Sequence, residues 1–317
     1  TVFEKSRGVG GRAATRRIGN IGLDHGAQYF TARDLRFLRA VEAWRERGLV
    51  ALWEGRIGSV SEGGVEPASD RHARFVGVPG MSEIGRHLAA DLDVRKQTLV
   101  TAPHHHAGRW RLQSEGGDVL GDFDALVVAL PAPQAQVLLA AAAPHLAQRA
   151  ATVDYSPAWA LMLSLPGKPT LPYDGLFFAD GEIAWAARNS AKPGRRGHTW
   201  VVHAAADWTR AHLDTPASQV AKTLTASLAA QTGMGLGDAE VLSTHRWLYS
   251  LVDNPLEAGA LWDPDLQLAV CGDWCHGARI EGAYLSGQAA AGHLLRHQAQ
   301  RSCQEQYTAT AAKAVAK

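Results

Sequence analysis

Apolar residues recur along this chain at two periods, and each period predicts a set of elements. Leu35, Leu38, Val41 and Ala43 fall near one face, with charges opposite, predicting an amphipathic helix over 34–47. Ile84, Leu88 and Leu92 repeat at i, i+4, i+8 behind Ser82, predicting a helix over 82–92 with Ser82 as N-cap. Thr215 followed by Pro216 predicts a helix over 216–231. Further helices are expected over the Ala-rich stretch 135–146 and over 281–298, where small residues line one side. Short extended segments are predicted over 1–3, 94–101, 109–114 and 123–130, with a hairpin over 49–60 punctuated by Gly55 and Gly58. The run Ala125-Leu126-Val127-Val128-Ala129-Leu130 has the pattern of a strand buried on both faces, and 266–272 is a second such strand. A Trp-rich stretch over 151–205 has β character, and 301–317 has no apolar period and predicts a disordered tail. Buried strands followed by helices, in the middle and at the end, predict an α/β domain interrupted by a second, β-rich module.

Composition narrows the function classes. The 317 residues are 46% hydrophobic and 20% charged, an ordinary globular balance. Lys plus Arg is 32 against 31 Asp plus Glu, a net charge of +1, which argues against a dedicated nucleic-acid binder. No apolar run approaches the roughly 18–20 residues of a membrane helix, so no membrane partner is expected. Three cysteines are too few for a disulfide framework and suit a reducing, cytoplasmic setting.

The chemistry concentrates in a glycine- and arginine-rich loop. Gly8-Val9-Gly10-Gly11-Arg12-Ala13 matches G-x-G-x-x-A, with Asp24 further on. That fingerprint needs a full strand before it and a helix after it; only Thr1-Val2-Phe3 precedes, and Gly19 and Gly22 follow. A second reading makes Glu4 the acidic residue that ends the second strand of a dinucleotide-binding unit and takes the ribose hydroxyls. Gly10 and Gly11 then let the backbone approach a pyrophosphate, and Lys5, Arg7, Arg12, Arg16 and Arg17 supply charge near it. On this reading the first strand, glycine loop and helix lie upstream of Thr1, which is the interior of a strand.

Val2-Phe3-Glu4-Lys5-Ser6-Arg7-Gly8-Val9-Gly10-Gly11-Arg12 resembles the segment after the second strand in FAD-dependent flavoproteins of the amine-oxidase type. Leu23-Asp24-His25-Gly26-Ala27-Gln28-Tyr29-Phe30-Thr31-Ala32-Arg33 resembles the renalase-like branch, especially its bacterial members. So do 75–82, 129–135, Cys271-Gly272-Asp273-Trp274 and Ile280-Glu281-Gly282-Ala283-Tyr284-Leu285-Ser286-Gly287. The resemblance covers the chain to about residue 298. It implies an α/β fold, N-terminally truncated. A Rossmann-like FAD-binding domain (1–31, 75–150 and 265–300) would carry an inserted β-rich substrate domain (32–74 and 151–264), as in p-hydroxybenzoate hydroxylase and the amine oxidases.

The resemblance implies FAD as cofactor and roles for particular residues. Gln28, after Gly26-Ala27, would lie beside the isoalloxazine ring, and Val94 would meet the adenine through its backbone. Asp273 would accept from the ribityl chain. Glu281, Gly282 and Ala283 open a helix whose N–H groups and dipole suit the negative charge that a reduced flavin carries around N1 and O2. Candidates on the substrate side are Trp185, Arg188, Asn189, His245, Trp247 and Tyr249: rings to stack on a planar substrate, and polar groups to hold an anion or amide.

The remaining constellations are quieter. His104-His105-His106 are three consecutive residues that cannot converge on one ion, and they are expected in a hairpin connection. Cys271 and Cys275 are expected as core or loop thiols rather than a redox pair. Gly233, Gly235 and Gly237 follow a helix and suit a C-cap and loop. The resemblance implies oxidation of dihydronicotinamide (NAD(P)H isomer) substrates by hydride transfer to flavin N5, with O2 giving hydrogen peroxide. The alternatives are a primary- or secondary-amine oxidase on the same scaffold and a truncated, non-catalytic chain that binds FAD weakly. The expected partners are a small-molecule substrate and O2, in a monomer or homodimer.

Overall fold

The computed structural model describes residues 1–70 and 72–315, with side chains as far as 303. The chain forms two compact units: Thr1–Gln97 with Tyr155–Leu251, and Thr98–Asp154 with Val252–Lys317. Residues 1–31 and 75–97, expected to share a domain with 98–150, therefore group with 155–251.

A seven-stranded sheet organises the first unit. Its order is Glu240–Val252, Tyr155–Ser164, Thr199–Ala204, Ile183–Arg188, Gly175–Phe178, Ile57–Ser61 and Gly64–Pro67. Period-2 alternation sends Trp159, Leu161, Leu163, Trp200 and Val202 to one face. There they pack with Val220, Leu224 and Leu228, one stripe of the helix Ala217–Thr232. That helix ends at Gly233, whose φ of 69° is the left-handed cap conformation. On the opposite face Met162 and Val201 meet Leu23 of the hairpin Thr15–Ile18/Ile21–Asp24. Val2–Glu4 runs parallel to Val94–Lys96.

Three local expectations in this unit fail for physical reasons. The helix Leu35–Glu46 is capped by Asp34, which accepts from the Arg36 N–H at 2.8 Å, but its buried stripe is Phe37, Val41 and Trp44. The Phe37 ring packs on Phe30 and Trp44 and sets the helix phase, leaving Leu35 and Ala43 exposed. The hairpin over 49–60 does not form. Val50–Leu52 pairs with Phe75–Gly77, while Ile57–Ser61 turns back on Gly64–Pro67 and runs parallel to Gly175–Phe178. The helix expected over 82–92 is Ser82–Leu88, with Met81 rather than Ser82 at its N-cap. The chain leaves it early to reach the strand beside Val2–Glu4, so Leu88 and Leu92 stay exposed.

In the second unit Leu126–Val128 runs parallel to Leu268–Val270, which pairs antiparallel with Leu261–Asp263. Leu268, Ala269 and Val270 are buried, as the sequence predicts. Val127 is 46% exposed, so the apolar run 125–130 forms a short strand covered on one side only. Its expected helix is two, Ala132–Leu139 and Pro144–Ala151, because proline cannot continue a helix but can start one. His104–His106 is itself a strand, paired with Arg109–Gln113; the connection is Ala107-Gly108, with φ of 50° and 77°. The final helix is Ile280–Val315 rather than 281–298. No glycine or proline follows Gly292, and the helix formers Ala, Gln, Glu and Lys carry it through the expected tail, whose last two residues lie outside the described residues.

Candidate functional site

The polar face of the first unit's sheet holds a buried charge cluster. Asp24 ends the strand Ile21–Asp24 and is fully buried. Its Oδ2 accepts from Arg195 Nη2 at 2.5 Å and Nε at 3.1 Å, and lies 3.6 Å from Lys192 Nζ. Its Oδ1 accepts from the Thr15 hydroxyl at 2.7 Å and the Met81 N–H at 3.0 Å. Burial would push the Asp24 carboxyl up; Lys192, Arg195 and these hydrogen bonds outweigh it and hold the carboxyl below its ordinary value. Burial pulls the Lys192 ammonium down to about 8, against the opposing pull of Asp24.

Lys192 Nζ also donates to Gln28 Oε1 at 3.2 Å and lies 5.6 Å above the Trp53 ring. Gln28 Nε2 reaches Val201 O at 3.4 Å, and lies as close to His203 Nε2. His203 Nε2 donates to His25 O at 3.0 Å, and Trp247 Nε1 donates to the same carbonyl at 2.9 Å.

His25 extends this cluster. Its ring centroid lies 5.0 Å from that of His245 and 5.1 Å from Trp247, and its buried Nδ1 has no hydrogen-bond partner. Strand periodicity builds this wall: Ser243, His245, Trp247 and Tyr249 are alternate residues of Glu240–Val252. Arg16 donates to Ser243 Oγ at 2.6 Å, lies 3.3 Å from His245 Nδ1, and makes no ion pair among the described residues. Burial, then neighbouring positive groups including Arg16, drops His25 to about 4 and lowers His245; burial drops His203 to about 4. At neutral pH the cluster therefore holds three neutral imidazoles, three cations (Arg16, Lys192, Arg195) and one carboxylate.

The glycine loop lies in the same unit. Gly10 has φ 112°, and a Cβ on Gly85 would fall 2.9 Å from Gly10 Cα, so the helix Ser82–Leu88 rests on the loop backbone. Gly8 and Gly11 face open space, and Lys5 and Arg7 are exposed without an ion pair among the described residues. An open glycine loop flanked by unneutralised cations suits a dinucleotide pyrophosphate. Glu4 ends its strand and accepts from the Ser6 N–H. Arg12 turns inward, donating to Ser250 O at 3.3 Å and lying over the Tyr155 ring. Ala27 N–H donates to Arg12 O at 2.8 Å, and a Cβ on Gly26 would fall 2.0 Å from that oxygen. This contact ties the glycine loop to Gln28. Val94 pairs with Val2.

In the second unit Asp273 is buried and opens the short helix Asp273–His276 instead of closing the strand before it. Glu281 is buried in the first turn of Ile280–Val315. A Cβ on Gly282 would fall 1.9 Å from Gly277 O, so the entering loop closes on the helix start. Ala283 is exposed at this end. Cys271 and Cys275 are buried free thiols, pushed up by burial to about 11 and about 12.

Three expected substrate-side residues are engaged in the fold. Arg188 is held by Asp174. The Asn189 amide is buried, accepting from Asp24 N–H at 3.3 Å and donating to Gly22 O at 2.8 Å. Trp185 packs on Phe177, Tyr29 and Trp53. His245 and Trp247 do come together, with His25, which the sequence reading passed over. Lys192 and Arg195 were missed as well. Among the described residues no group of three His, Cys, Asp or Glu could hold a metal ion, and no helix is long and apolar enough to cross a membrane.

Residues 52–295 match the family model of flavin-containing amine oxidoreductases, and residues 1–42 match an NAD(P)-binding Rossmann-like domain. Among solved structures the chain resembles cyclohexylamine oxidase from Brevibacterium oxydans IH-35A (TM-score 0.73, 13% identity, 94% of this chain and 93% of that one). It also resembles wild-type putrescine oxidase bound to putrescine (0.68, 13%, 92% of each) and a CLA-producing fatty acid isomerase from P. acnes (0.65, 10%, 92% of each). At these identities the likeness shows the fold alone, and the isomerase shows that this fold carries more than one chemistry. The match over 52–295 settles the family: the chain belongs to the flavin-containing amine oxidoreductases and is an FAD-dependent oxidoreductase.

Proposed function

We propose that the protein oxidises dihydronicotinamides, isomers of NAD(P)H reduced at the wrong ring position, back to the nicotinamide dinucleotide. A hydride leaves a ring carbon next to nitrogen, whose lone pair helps expel it, and O2 with a proton takes up the electrons as hydrogen peroxide. FAD, when bound, supplies the hydride acceptor at N5. Glu4, Lys5, Gly10, Gly11, Arg12 and Val94 would hold its adenosine and pyrophosphate, and Ala27 and Gln28 would meet its ring. Asp273, Glu281, Gly282 and Ala283 would engage the ribityl chain and the N1–O2 edge. On this reading 1–31, 75–150 and 265–300 serve the cofactor, and 32–74 with 151–264 the substrate.

One observation carries the choice of substrate class: the charge of the cluster around Gln28 and His25. Among the described residues its single carboxylate is already matched by Arg195 and Lys192, and Arg16 faces Ser243 and His245 with no ion-pair partner. A protonated amine would meet a net positive field there, whereas a phosphate-bearing dihydronicotinamide would be attracted. Trp247 and the neutral His25 and His245 rings offer stacking surfaces for a planar ring. No charged base is needed, because the hydride leaves without prior loss of a proton. Amine oxidation on the same scaffold is the second reading, favoured by the family alone.

The test is product identity. Borohydride-reduced NAD, a mixture of isomers, should give the oxidised dinucleotide and hydrogen peroxide one-to-one. Turnover of benzylamine or polyamines with none of the isomers would overturn the proposal.

A further inference from the structure

We infer that Lys192 is a positioning residue that fixes which way the Gln28 amide points, so that Gln28 presents an N–H donor. An ammonium has donors only, so the Gln28 atom 3.2 Å from Lys192 Nζ must be the carbonyl oxygen. That places Nε2 toward Val201 O at 3.4 Å. The neighbouring His203 cannot take the second Nε2 hydrogen, because its own Nε2 already donates to His25 O at 3.0 Å. One Gln28 N–H is therefore left without an acceptor among the described residues, in a residue that is 4% exposed. A buried donor left open in this way needs a partner. Under the proposed function, on which this part rests, that partner is the bound flavin or the substrate ring beside it.

Lys192 is itself held from every side. Asp24 lies 3.6 Å away on the strand Ile21–Asp24, Arg195 shares that carboxylate, and the Trp53 ring lies below the ammonium. His203, on the strand Thr199–Ala204, completes the surroundings and stays neutral at neutral pH. Asp24 favours the charged ammonium; burial and Arg195 oppose it, and Lys192 titrates at about 8. A neutral amine can accept as well as donate, so raising the pH through that value removes the charge facing the amide oxygen and weakens the hold on the amide, while Val201 O still takes an N–H.

The test follows the Gln28 side-chain amide by 15N–1H NMR in the FAD-loaded protein, assigned through Gln28→Met. In the wild type its two proton signals should shift between pH 7 and 9; in Lys192→Met the shift should vanish. Anaerobic flavin reduction by the dihydronicotinamide isomers should slow about tenfold in Lys192→Met, the size expected for losing one hydrogen bond to a charged group. Gln28→Met should slow it equally, and the double variant should be no slower than either. Wild-type amide signals that do not move with pH overturn the inference, even where Lys192→Met fails to fold. Independent, multiplying effects of the two substitutions overturn it as well. A wild-type flavin that the isomers do not bleach, with amide signals that still shift, would sink the substrate reading and leave the orientation lock standing.

Discussion

The two faces of the seven-stranded sheet are made from the same strands and differ by one residue of register. On Thr199–Ala204, Trp200, Val202 and Ala204 face the apolar core, while Val201 and His203 look the other way. The first face excludes water by volume alone. The second buries Lys192, Arg195 and Asp24 beside neutral imidazoles and an amide. Hydrophobic residues of similar volume would stabilise a fold at least as well as a buried ion pair. The charges on the second face therefore argue for chemistry, and the apolar face supplies the rigidity that holds them in place.

Asp24→Asn should separate the faces most forcefully. It strands Lys192 and Arg195 without their carboxylate and should cost about 3–5 kcal/mol in urea unfolding. Leu224→Ala on the apolar face should cost about 2–5 kcal/mol by leaving a cavity. A cost for Asp24→Asn below about 1 kcal/mol would show that the second face is not locked by charge. Only Asp24→Asn should perturb the visible spectrum of bound flavin; an equal change in Leu224→Ala would erase the distinction.

Acid should act through the second face. His25 and His203 titrate at about 4 when folded, against about 6.5 unfolded, so between these values the unfolded chain binds more protons. Stability should fall as pH drops from 6.5 toward 4, by up to about 1.4 kcal/mol per pH unit for each histidine. His203→Gln should reduce that slope by one proton, and Leu224→Ala should leave it unchanged, measured by urea unfolding across pH.

A smaller effect should come from Arg16→Ala. The KM for the dihydronicotinamide dinucleotide should rise about tenfold, the loss of one charged contact, with a smaller change in kcat. Smallest of all is the thiol chemistry of the second unit. At pH 8 iodoacetamide should label Cys303, which is exposed, and leave Cys271 and Cys275 unmodified. Rapid labelling of either buried thiol would contradict their burial.

Features with local causes could be read from the residues: the amphipathic helix begun at Asp34, the helix ending at Gly233, and the buried strand within 266–272. Gly26 stands inside a motif quoted from the sequence, and its close approach to Arg12 O explains why glycine is required there. The wall Ser243, His245, Trp247 and Tyr249 is a period-2 pattern visible in the sequence once that strand is recognised. Strand partners were harder, because pairing is non-local. Nothing within 49–60 reveals that Ile57–Ser61 will meet Gly175–Phe178. The charge cluster was the least accessible. Lys and Arg usually reach water, and Lys192 meets Gln28 only across 164 positions of chain. Arg188 and Asn189 had the right chemistry for a substrate site, but Asp174 and the backbone of Gly22 and Asp24 claim them.

As proposed, the charged face selects an anionic dihydronicotinamide over a cationic amine. Anaerobic rapid mixing of the FAD-loaded protein tests it most directly. Borohydride-generated dihydronicotinamide dinucleotides should bleach the flavin fast, and benzylamine or polyamines should bleach it little or not at all. Rapid bleaching by the amines, with the isomers inert, would contradict it.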